Sequence, residues 1–300
     1  MGLDFKEIAI GDKGYFDRFL RLDNPEISEL TFTNMFMWRN YYKFRYAQVD
    51  NMLVLISVPE EGVPFSYAPF GEVNNKGFKD VVMMIKEYFK KNNWKMIFGR
   101  VPESMLSFYR EAFGEQARIE LDEANSDYVY SANDLISLSG KKYDGKRNHI
   151  HKFKKLYEFE FEKVNHSNIA ECIRIMDEWC EERKCQHQHT SYCENKANRE
   201  LLNNFDELGC KGALISVDGR YEAFTIGEML NHNTAVIHIE KANSKVKGLY
   251  TITNQQFCEN EWNSVEFINR EQDLGIEGIR KAKLSYHPVK MSNKYSITIE

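Results

Sequence analysis

The chain repeats one order of predicted secondary structure, and this repetition limits the possible folds more than any other feature. In each half, two helical segments precede a hairpin, a third strand, a glycine-containing loop, a helix, a strand, a further helix and a closing strand. The second hairpin is marked by Asp218-Gly219, a dipeptide that favours a tight turn between antiparallel strands. Two successive copies of one mixed unit explain this order most simply.

We therefore predict an α+β fold with two mixed-sheet domains, residues 1–135 and 136–300. A strand around Tyr128 is predicted to close the first half, and residues 294–299 are predicted to close the second. No low-complexity or proline-rich linker separates the halves, so we expect the two domains to pack together.

Composition places the chain among ordinary globular proteins. Of its 300 residues, 42% are hydrophobic and 28% are charged, which is enough for two cores of typical domain size. The formal net charge of -5 argues against a general nucleic-acid coat or a cationic membrane-surface protein. No apolar run reaches the roughly 18 residues of a membrane span, and no N-terminal signal core is present. We expect a cytoplasmic protein that is not integral to a membrane.

All six cysteines lie in the second half, and we expect them to be reduced. Cys180, Cys185, His187, His189 and Cys193 are close in sequence and raise the question of a metal site. Their spacing matches no closed zinc motif, and Cys180 falls on the apolar face of a predicted helix. We therefore predict no metal site.

Polar and charged side chains are dense between residues 236 and 295. Two strand-like runs, residues 236–240 and 265–268, both lead into loops rich in such side chains. Proteins built on a sheet commonly form their sites where loops follow neighbouring strands. Strict alternation along the first run would place His238 and Glu240 on one face. The sequence therefore predicts a functional site at these two strand ends.

The glycine-containing loop of the second half reads Lys245-Val-Lys-Gly248-Leu-Tyr250 and leads into a predicted helix at residues 249–261. The element order around it resembles the GNAT acyltransferase fold, in which this loop binds a pyrophosphate at the helix N-terminus. The match is partial, because Tyr250 stands where that family has a small residue. We expect Tyr250 to crowd the pyrophosphate of coenzyme A. An ordinary helix entry would have the same sequence pattern.

Residues 141–155 form a basic segment in an otherwise acidic chain, with seven Lys or Arg residues against one Asp. On a helix, Arg147, His151 and Lys155 would share one face. The segment could be a solvated charged surface. It could also bind the phosphates of a nucleotide, a tRNA acceptor end or a lipid headgroup, as its position between the halves suggests.

Four segments of the sequence resemble one family. Residues 146–155, 239–243, 247–250 and 268–286 are similar to the bacterial DUF2156 proteins, which are related to the catalytic C-terminal domain of phosphatidylglycerol lysyltransferase. The basic segment is more loosely similar to the FemX-type tRNA-dependent transferases. The resemblance covers essentially the whole chain and implies a tandem GNAT-like fold. It also implies transfer of an aminoacyl group from aminoacyl-tRNA to a lipid hydroxyl or an amine, with no cofactor required.

Acyl transfer of this kind needs a positioned carbonyl, donors for the developing oxyanion and a group that takes the acceptor's proton. No Cys/His pair or Gly-x-Ser-x-Gly motif points to a covalent intermediate. The candidates for proton transfer are Glu240, Glu271, Asp273 and Tyr286, with Glu228 and His238 as second choices. The candidates for charge stabilisation or phosphate binding are Arg147, His151, Lys155, Lys245, Gly248, Tyr250, Arg270, Arg280 and Lys283.

Several of these residues have a structural alternative. Asp273 could cap a turn, and Glu271 could pair with Arg280 or Lys283. We predict an acyltransferase that uses aminoacyl-tRNA and acts on a lipid or a peptide. Acyl-CoA is the alternative donor, and a non-catalytic module that binds a nucleotide, RNA or protein is the alternative function.

Overall fold

The computed structural model describes residues 3–183 and 194–300. The chain forms two compact units whose segments alternate along the sequence. The first unit comprises Met1–Asp127, Gln272–Ile276 and Met291–Glu300, and the second comprises Tyr128–Glu271 and Glu277–Lys290. Each unit combines a mixed sheet with helices, which confirms the predicted α+β class.

The first unit is built on an eight-stranded sheet. Its elements are β1 (Lys6–Glu7), α1 (Lys13–Asp23), α2 (Phe32–Tyr42), β2 (Arg45–Val49), β3 (Met52–Ser57), β4 (Phe65–Ser66), β5 (Phe70–Gly71), α3 (Asn75–Lys91), β6 (Ile97–Pro102), α4 (Leu106–Phe113), β7 (Ala117–Leu121) and, at the end of the chain, β15 (Lys294–Ile299). The strand order is β1-β2-β3-β4-β6-β15-β7, with β5 paired to β3 and with β4 parallel to β6.

Helix α3 shows how the sequence determines the core of this unit. Five apolar side chains recur at helical spacing and are buried: Phe78, Val81, Val82, Ile85 and Phe89. Asn74 caps the helix, because its Oδ1 accepts a hydrogen bond from the Gly77 N–H at 2.9 Å. The apolar stripe packs with side chains of β3, β6 and β15, and each buried side chain contributes roughly 1.5–3 kcal/mol.

A buried ionic cluster lies in the first unit. Lys294 is fully buried at the start of β15, and its Nζ lies 2.6 Å from Asp127 Oδ1 and 2.5 Å from Glu29 Oε2. Arg100 contacts the same Glu29 carboxylate at 3.4 Å and Asp122 at 2.8 Å. Buried charges are costly to remove from water, so each member of this cluster depends on its partners.

The second unit is built on a seven-stranded sheet. Its elements are β8 (Asp127–Ser131), α5 (Ala132–Ser137), α6 (Asp144–Leu156), β9 (Phe159–Lys163), α7 (Ile169–Glu182), α8 (Glu194–Asn203), α9 (Phe205–Leu208), β10 (Lys211–Val217), β11 (Arg220–Met229), β12 (Thr234–Ala242), α10 (Leu249–Glu261), β13 (Phe267–Asn269), α11 (Glu277–Leu284) and β14 (Lys290–Ser292). The strand order is β14-β8-β13-β12-β11-β10-β9, with β12 parallel to β13.

The hairpin between β10 and β11 confirms the Asp218-Gly219 prediction. Asp218 has φ of 51° and Gly219 has φ of 82°. Two successive left-handed residues match the right-handed twist of the flanking strands, which is why this dipeptide is favoured there. The predicted helix at residues 249–261 also coincides with α10.

Each of the two predicted closing strands lies in the sheet of the other unit. Strand β15, predicted to close the second half, pairs with β6 and β7 in the sheet of the first unit. Strand β8, around Tyr128, pairs with β13 in the sheet of the second unit. These assignments were wrong because pairing between distant strands depends on tertiary packing rather than on the local pattern. The division into domains at residues 1–135 and 136–300 stays a prediction.

Candidate active site

The predicted site lies where the pairing between β12 and β13 ends. They are parallel neighbours whose paired stretch runs from Thr234 to Val236 on β12 and from Phe267 to Asn269 on β13. Strand β12 continues to Ala242, whereas β13 ends and the chain turns away. Side chains that follow the paired stretches meet across the opening between the two strands.

Arg270 and Glu240 form the first link across this opening. Arg270 Nη2 donates to Glu240 Oε1 at 3.0 Å, and the two side chains are 14% and 13% exposed. Asn254 of α10 donates to the other Glu240 oxygen at 3.4 Å. Burial lowers the pKa of Arg270, but Glu240, Tyr130, Tyr286 and Cys258 together raise it by more, so the guanidinium stays charged. Its remaining terminal nitrogen, Nη1, is buried and has no hydrogen-bond partner among the described residues.

An Asx turn shapes the loop that presents Arg270. Asn269 is fully buried at the end of β13, and its Oδ1 accepts a hydrogen bond from the Glu271 N–H at 2.8 Å. Glu271 has φ of 58°, a left-handed conformation that is uncommon outside glycine. Lys283 Nζ donates to the Arg270 carbonyl, and the Arg270 N–H donates to the Tyr128 carbonyl at 3.0 Å. These bonds fix the direction in which the guanidinium points.

Tyr286 and Lys146 lie beside Arg270. The centre of the Tyr286 ring is 4.8 Å from Arg270 Cζ and 3.6 Å from Lys146 Nζ. Lys146 also donates to Ser285 Oγ at 2.7 Å. Burial raises the pKa of Tyr286, and its hydroxyl hydrogen-bonds with Thr251. The buried ring therefore lies against both the Arg270 guanidinium and the Lys146 amine.

His238 forms the second link across the opening. Its Nδ1 lies 2.8 Å from Glu271 Oε1, and its Nε2 lies 2.9 Å from Glu228 Oε1. The imidazole is fully buried. Burial lowers the pKa of His238, but the hydrogen bonds to Glu228 and Glu271 and the charges of these carboxylates together raise it by more, to about 9. Both ring nitrogens therefore donate at neutral pH, and the imidazolium connects β11, β12 and the loop after β13.

A β-bulge at His238 corrects the predicted alternation. Ile226 of β11 pairs with Ile239 and Gly227 pairs with Ile237, so His238 is the extra residue. Ile237 packs with apolar side chains of α10, and Glu240, three residues later, also bonds to α10. Strict alternation was therefore a wrong prediction here, because the inserted residue shifts the later positions of β12 by one.

We expect His238 to make the stability of the second unit depend on pH. Its folded pKa of about 9 lies above the unfolded value of 6.5, so its contribution is complete below pH 6.5 and is lost as the pH rises through 9. This shift corresponds to about 3 kcal/mol. In urea unfolding, the stability difference between wild type and His238→Gln should shrink by about that amount between about pH 6 and pH 10. A difference independent of pH would contradict a protonated imidazole.

The glycine loop before α10 lies directly against α6. Gly248 is the N-cap residue of α10 and has φ of 90°. A Cβ atom there would lie 2.9 Å from the His149 carbonyl oxygen and 3.1 Å from Phe153 Cβ, so this position requires glycine. The Tyr250 hydroxyl accepts a hydrogen bond from the Trp179 indole N–H at 2.9 Å, which holds the tyrosine against α7.

The predicted basic segment contributes one cation to the Arg270 group. Arg147, the first residue of the predicted cationic face, donates to two carbonyl oxygens in the preceding turn and to the Asp144 carboxylate. His151 and Lys155 are exposed on α6. Lys146 is the residue of this segment that reaches the tyrosine beside Arg270. Sequence reasoning missed it, because nothing in the run of cations distinguishes it from its neighbours.

Two other candidates have partners of their own. Asp273 belongs to the first unit and is buried in a turn, where its Oδ1 accepts from the Gly275 N–H at 2.7 Å. Lys245 is 79% exposed and lies 3.7 Å from Glu182. It lines a cavity of about 370 Å³ whose other charged residues are Glu178, Glu181, Glu182, Arg220 and Glu222. This cavity is acidic on balance and does not favour phosphate. Arg280 is half-buried on α11.

No group of three His, Cys, Asp or Glu side chains within residues 3–183 and 194–300 could hold a metal ion. Of the cysteine and histidine cluster in the sequence, Cys180 is buried on α7, and Cys185, His187, His189 and Cys193 lie outside the described residues. Over those same two ranges, no helix is long and apolar enough to cross a bilayer.

Comparison with known families gives a match over nearly the whole chain. Residues 21–298 match the family described as phosphatidylglycerol lysyltransferase, C-terminal. The chain belongs to this family. The resemblance seen in the sequence is thereby confirmed, and the two sheets are those of the tandem GNAT-like fold of this lysyltransferase family.

Relatives of known structure share this fold at different levels of identity. A conserved protein of unknown function from Bacteroides thetaiotaomicron VPI-5482 superposes with a TM-score of 0.93 at 33% identity, covering 99% of this chain and 100% of that one. L-PGS from Bacillus licheniformis superposes with a TM-score of 0.66 at 15% identity, covering 96% and 92% of the two chains.

One curated relative matches over part of its length. The uncharacterized protein MYCGA3080 of Mycoplasmoides gallisepticum (strain R(low / passage 15 / clone 2)) is 22% identical over 181 residues, which are 60% of this chain. The chain spans 58% of the length of that relative.

Proposed function

We propose that this lysyltransferase-type acyltransferase domain takes an aminoacyl group from aminoacyl-tRNA and passes it to an amine or hydroxyl of a lipid or peptide. The observation that carries the proposal is the state of Arg270. Its guanidinium is charged, fixed by Glu240 and placed at the opening between β12 and β13, and its Nη1 has no partner within the part of the chain that the structure describes.

Arg270 has the chemistry that acyl transfer needs at this place. When an acceptor attacks the ester carbonyl, negative charge develops on the carbonyl oxygen. A donor that is already oriented stabilises this charge without reorganisation, and the loss of one such donor typically costs about 10²–10³ in rate. Nη1 is the donor for the oxyanion, and Glu240 and Tyr286 keep it in place.

The two carboxylates at the opening, Glu240 and Glu271, position other residues in the proposed mechanism. Glu240 is bonded to Arg270 and Asn254, so it orients the guanidinium. Glu271 is bonded to His238, so it holds the loop after β13. No step requires a covalent intermediate on the enzyme, because the ester of aminoacyl-tRNA is already activated for attack by an amine or a hydroxyl.

Two features support aminoacyl-tRNA over acyl-CoA as the donor. The opening between β12 and β13 is crossed by the Arg270–Glu240 and His238–Glu271 pairs, which a pantetheine chain between the strands would have to break. The Gly248 backbone packs against α6, so the loop that would bind a pyrophosphate is covered on that side. The exposed His151 and Lys155 suit a polynucleotide, which is bound largely through its phosphates.

The proposal is tested by following both donors in parallel. Bulk tRNA charged with radiolabelled amino acids, or a panel of acyl-CoA thioesters, is incubated with the protein, phosphatidylglycerol vesicles and a peptide with free amino groups. We expect label to move from tRNA to the lipid or the peptide while the thioesters persist. Consumption of a thioester alone would overturn the donor assignment. If neither donor is consumed, the acyltransferase proposal fails and a binding module is favoured.

A further inference from the structure

Lys146 lies against the Tyr286 ring, closer to the ring centre than Arg270, and none of the roles proposed above uses it. It lies in the first turn of α6 and is half-buried. Its Nζ is held by two contacts, the hydrogen bond to Ser285 Oγ at 2.7 Å and the Tyr286 ring at 3.6 Å. The amine is therefore fixed on one side and close to the guanidinium that we propose binds the oxyanion.

The charges around Lys146 favour its neutral form. Among the described residues, no carboxylate lies within 4.0 Å of its Nζ, whereas Arg270 contacts the same tyrosine ring. Glu240 faces the amine from β12, but its oxygens are bonded to Arg270 and Asn254. Burial and the Arg270 charge lower the pKa of Lys146 to about 8, and Glu240 offsets only part of this change. A lysine with this property can exchange protons near neutral pH.

We propose that Lys146 is the proton-transfer residue of the reaction, placed by Ser285 and Tyr286 beside the carbonyl that Arg270 polarises. This inference rests on the proposed function and adds the residue that moves the proton. A bond forms between the acceptor nitrogen or oxygen and the aminoacyl carbonyl carbon. The ester bond to the ribose oxygen breaks, the acceptor's proton passes to Lys146 Nζ, and the ammonium returns a proton to the ribose oxygen.

If Lys146 is the base, aminoacyl transfer should become faster as the pH rises. The amine acts as a base only when it is neutral, and its pKa of about 8 lies below the ordinary value of 10.5. Transfer should therefore rise with pH and level off above about pH 8. Lys146→Arg keeps a positive charge but cannot lose a proton in this range, so it should remove this inflection and lower single-turnover transfer by about 10²-fold or more.

The test combines a measurement without substrate and one with it. The pH dependence of trinitrobenzenesulfonate labelling, followed by peptide mapping, reports the acidity of each lysine. Lys142 is the internal reference, because it lies on the neighbouring turn and is paired with Asp134 at 3.0 Å. At about pH 8, Lys146 should be labelled at a rate about tenfold above that of Lys142. Equal reactivity of the two lysines would overturn the proposal whatever the donor proves to be.

Single-turnover transfer from charged tRNA is then compared in wild type, Lys146→Arg, Lys146→Met and the control Lys43→Met, because Lys43 lies outside the basic segment and pairs with Glu60 at the surface. Loss of rate and of the inflection in both Lys146 variants, with the control unchanged, supports the role in proton transfer. If Lys146→Arg keeps the wild-type rate and profile, Lys146 is not the proton carrier, and the proposed function still stands. If wild type transfers nothing from any donor, both proposals fall, and the labelling result then describes an acidic lysine without this role.

Discussion

Arg270→Met is expected to reduce aminoacyl transfer by about 10²–10³-fold and to destabilise the second unit by about 3 kcal/mol. The rate falls because the donor for the oxyanion is removed. The stability falls because Glu240, only 13% exposed, is left without its cation. Single-turnover transfer and urea unfolding measure the two effects. Arg118→Gln is the matched control, since Arg118 is 72% exposed and its pair with Glu120 contributes little.

A double variant separates the two effects of the Arg270 substitution. Replacing Glu240 with glutamine in the Arg270→Met background removes the unpaired buried carboxylate, so most of the lost stability should return. Transfer should stay low, because the donor is still absent. Recovery of transfer in the double variant would show that Arg270 acts only by holding the fold. Wild-type transfer in Arg270→Met would remove it from the mechanism.

Lys294→Met is expected to have the largest effect on stability. The side chains of Lys294 and Asp127 are 0% exposed and that of Glu29 is 7% exposed, so the substitution removes the cation that these two buried carboxylates share, and Arg100 still contacts Glu29. The loss of one partner from a buried ion pair costs about 3–5 kcal/mol, which is a large part of the stability of a typical domain. Lys281→Met is the control, because Lys281 is 74% exposed and pairs with Glu277 at the surface.

Hydrogen exchange locates the effect of Lys294→Met. Because β15 lies between β6 and β7, exchange should increase in the sheet of the first unit. The hairpin of β10 and β11 should keep its protection. A loss of protection confined to that hairpin would instead favour the placement of β15 in the second half, as predicted from the sequence.

Local features of the fold could be predicted from the sequence. Asp218-Gly219 specified its hairpin because the turn needs two left-handed residues, and the glycine-containing loop that ends at Gly248 marked the start of α10. The placement of β8 and β15 could not be predicted. Each strand carries an ordinary strand pattern, and its partner lies far away in sequence, so only the packed structure selects the sheet.

The candidate site was predicted in part, for similar reasons. Glu240 and Arg270 were selected because they lie at the ends of two strands, and Tyr286 because it is a phenol in the same polar stretch. The structure brings these three together. The alternating apolar and polar residues around His238 do not reveal the bulge there. The bulge nevertheless determines which side chains of β12 contact α10. Lys146 differs from the other cations of its segment only through Ser285 and Tyr286, which lie about 140 positions later in the chain.

The most direct test of the proposed site is a crystal structure of the protein with a 3′-amide analogue of aminoacyl-adenosine, the non-hydrolysable end of charged tRNA. We expect the amide carbonyl oxygen within hydrogen-bond distance of Arg270 Nη1 and the 3′ nitrogen on the side of Lys146. Binding of the analogue elsewhere, or with its carbonyl turned away from Arg270, would contradict the assignment of this site.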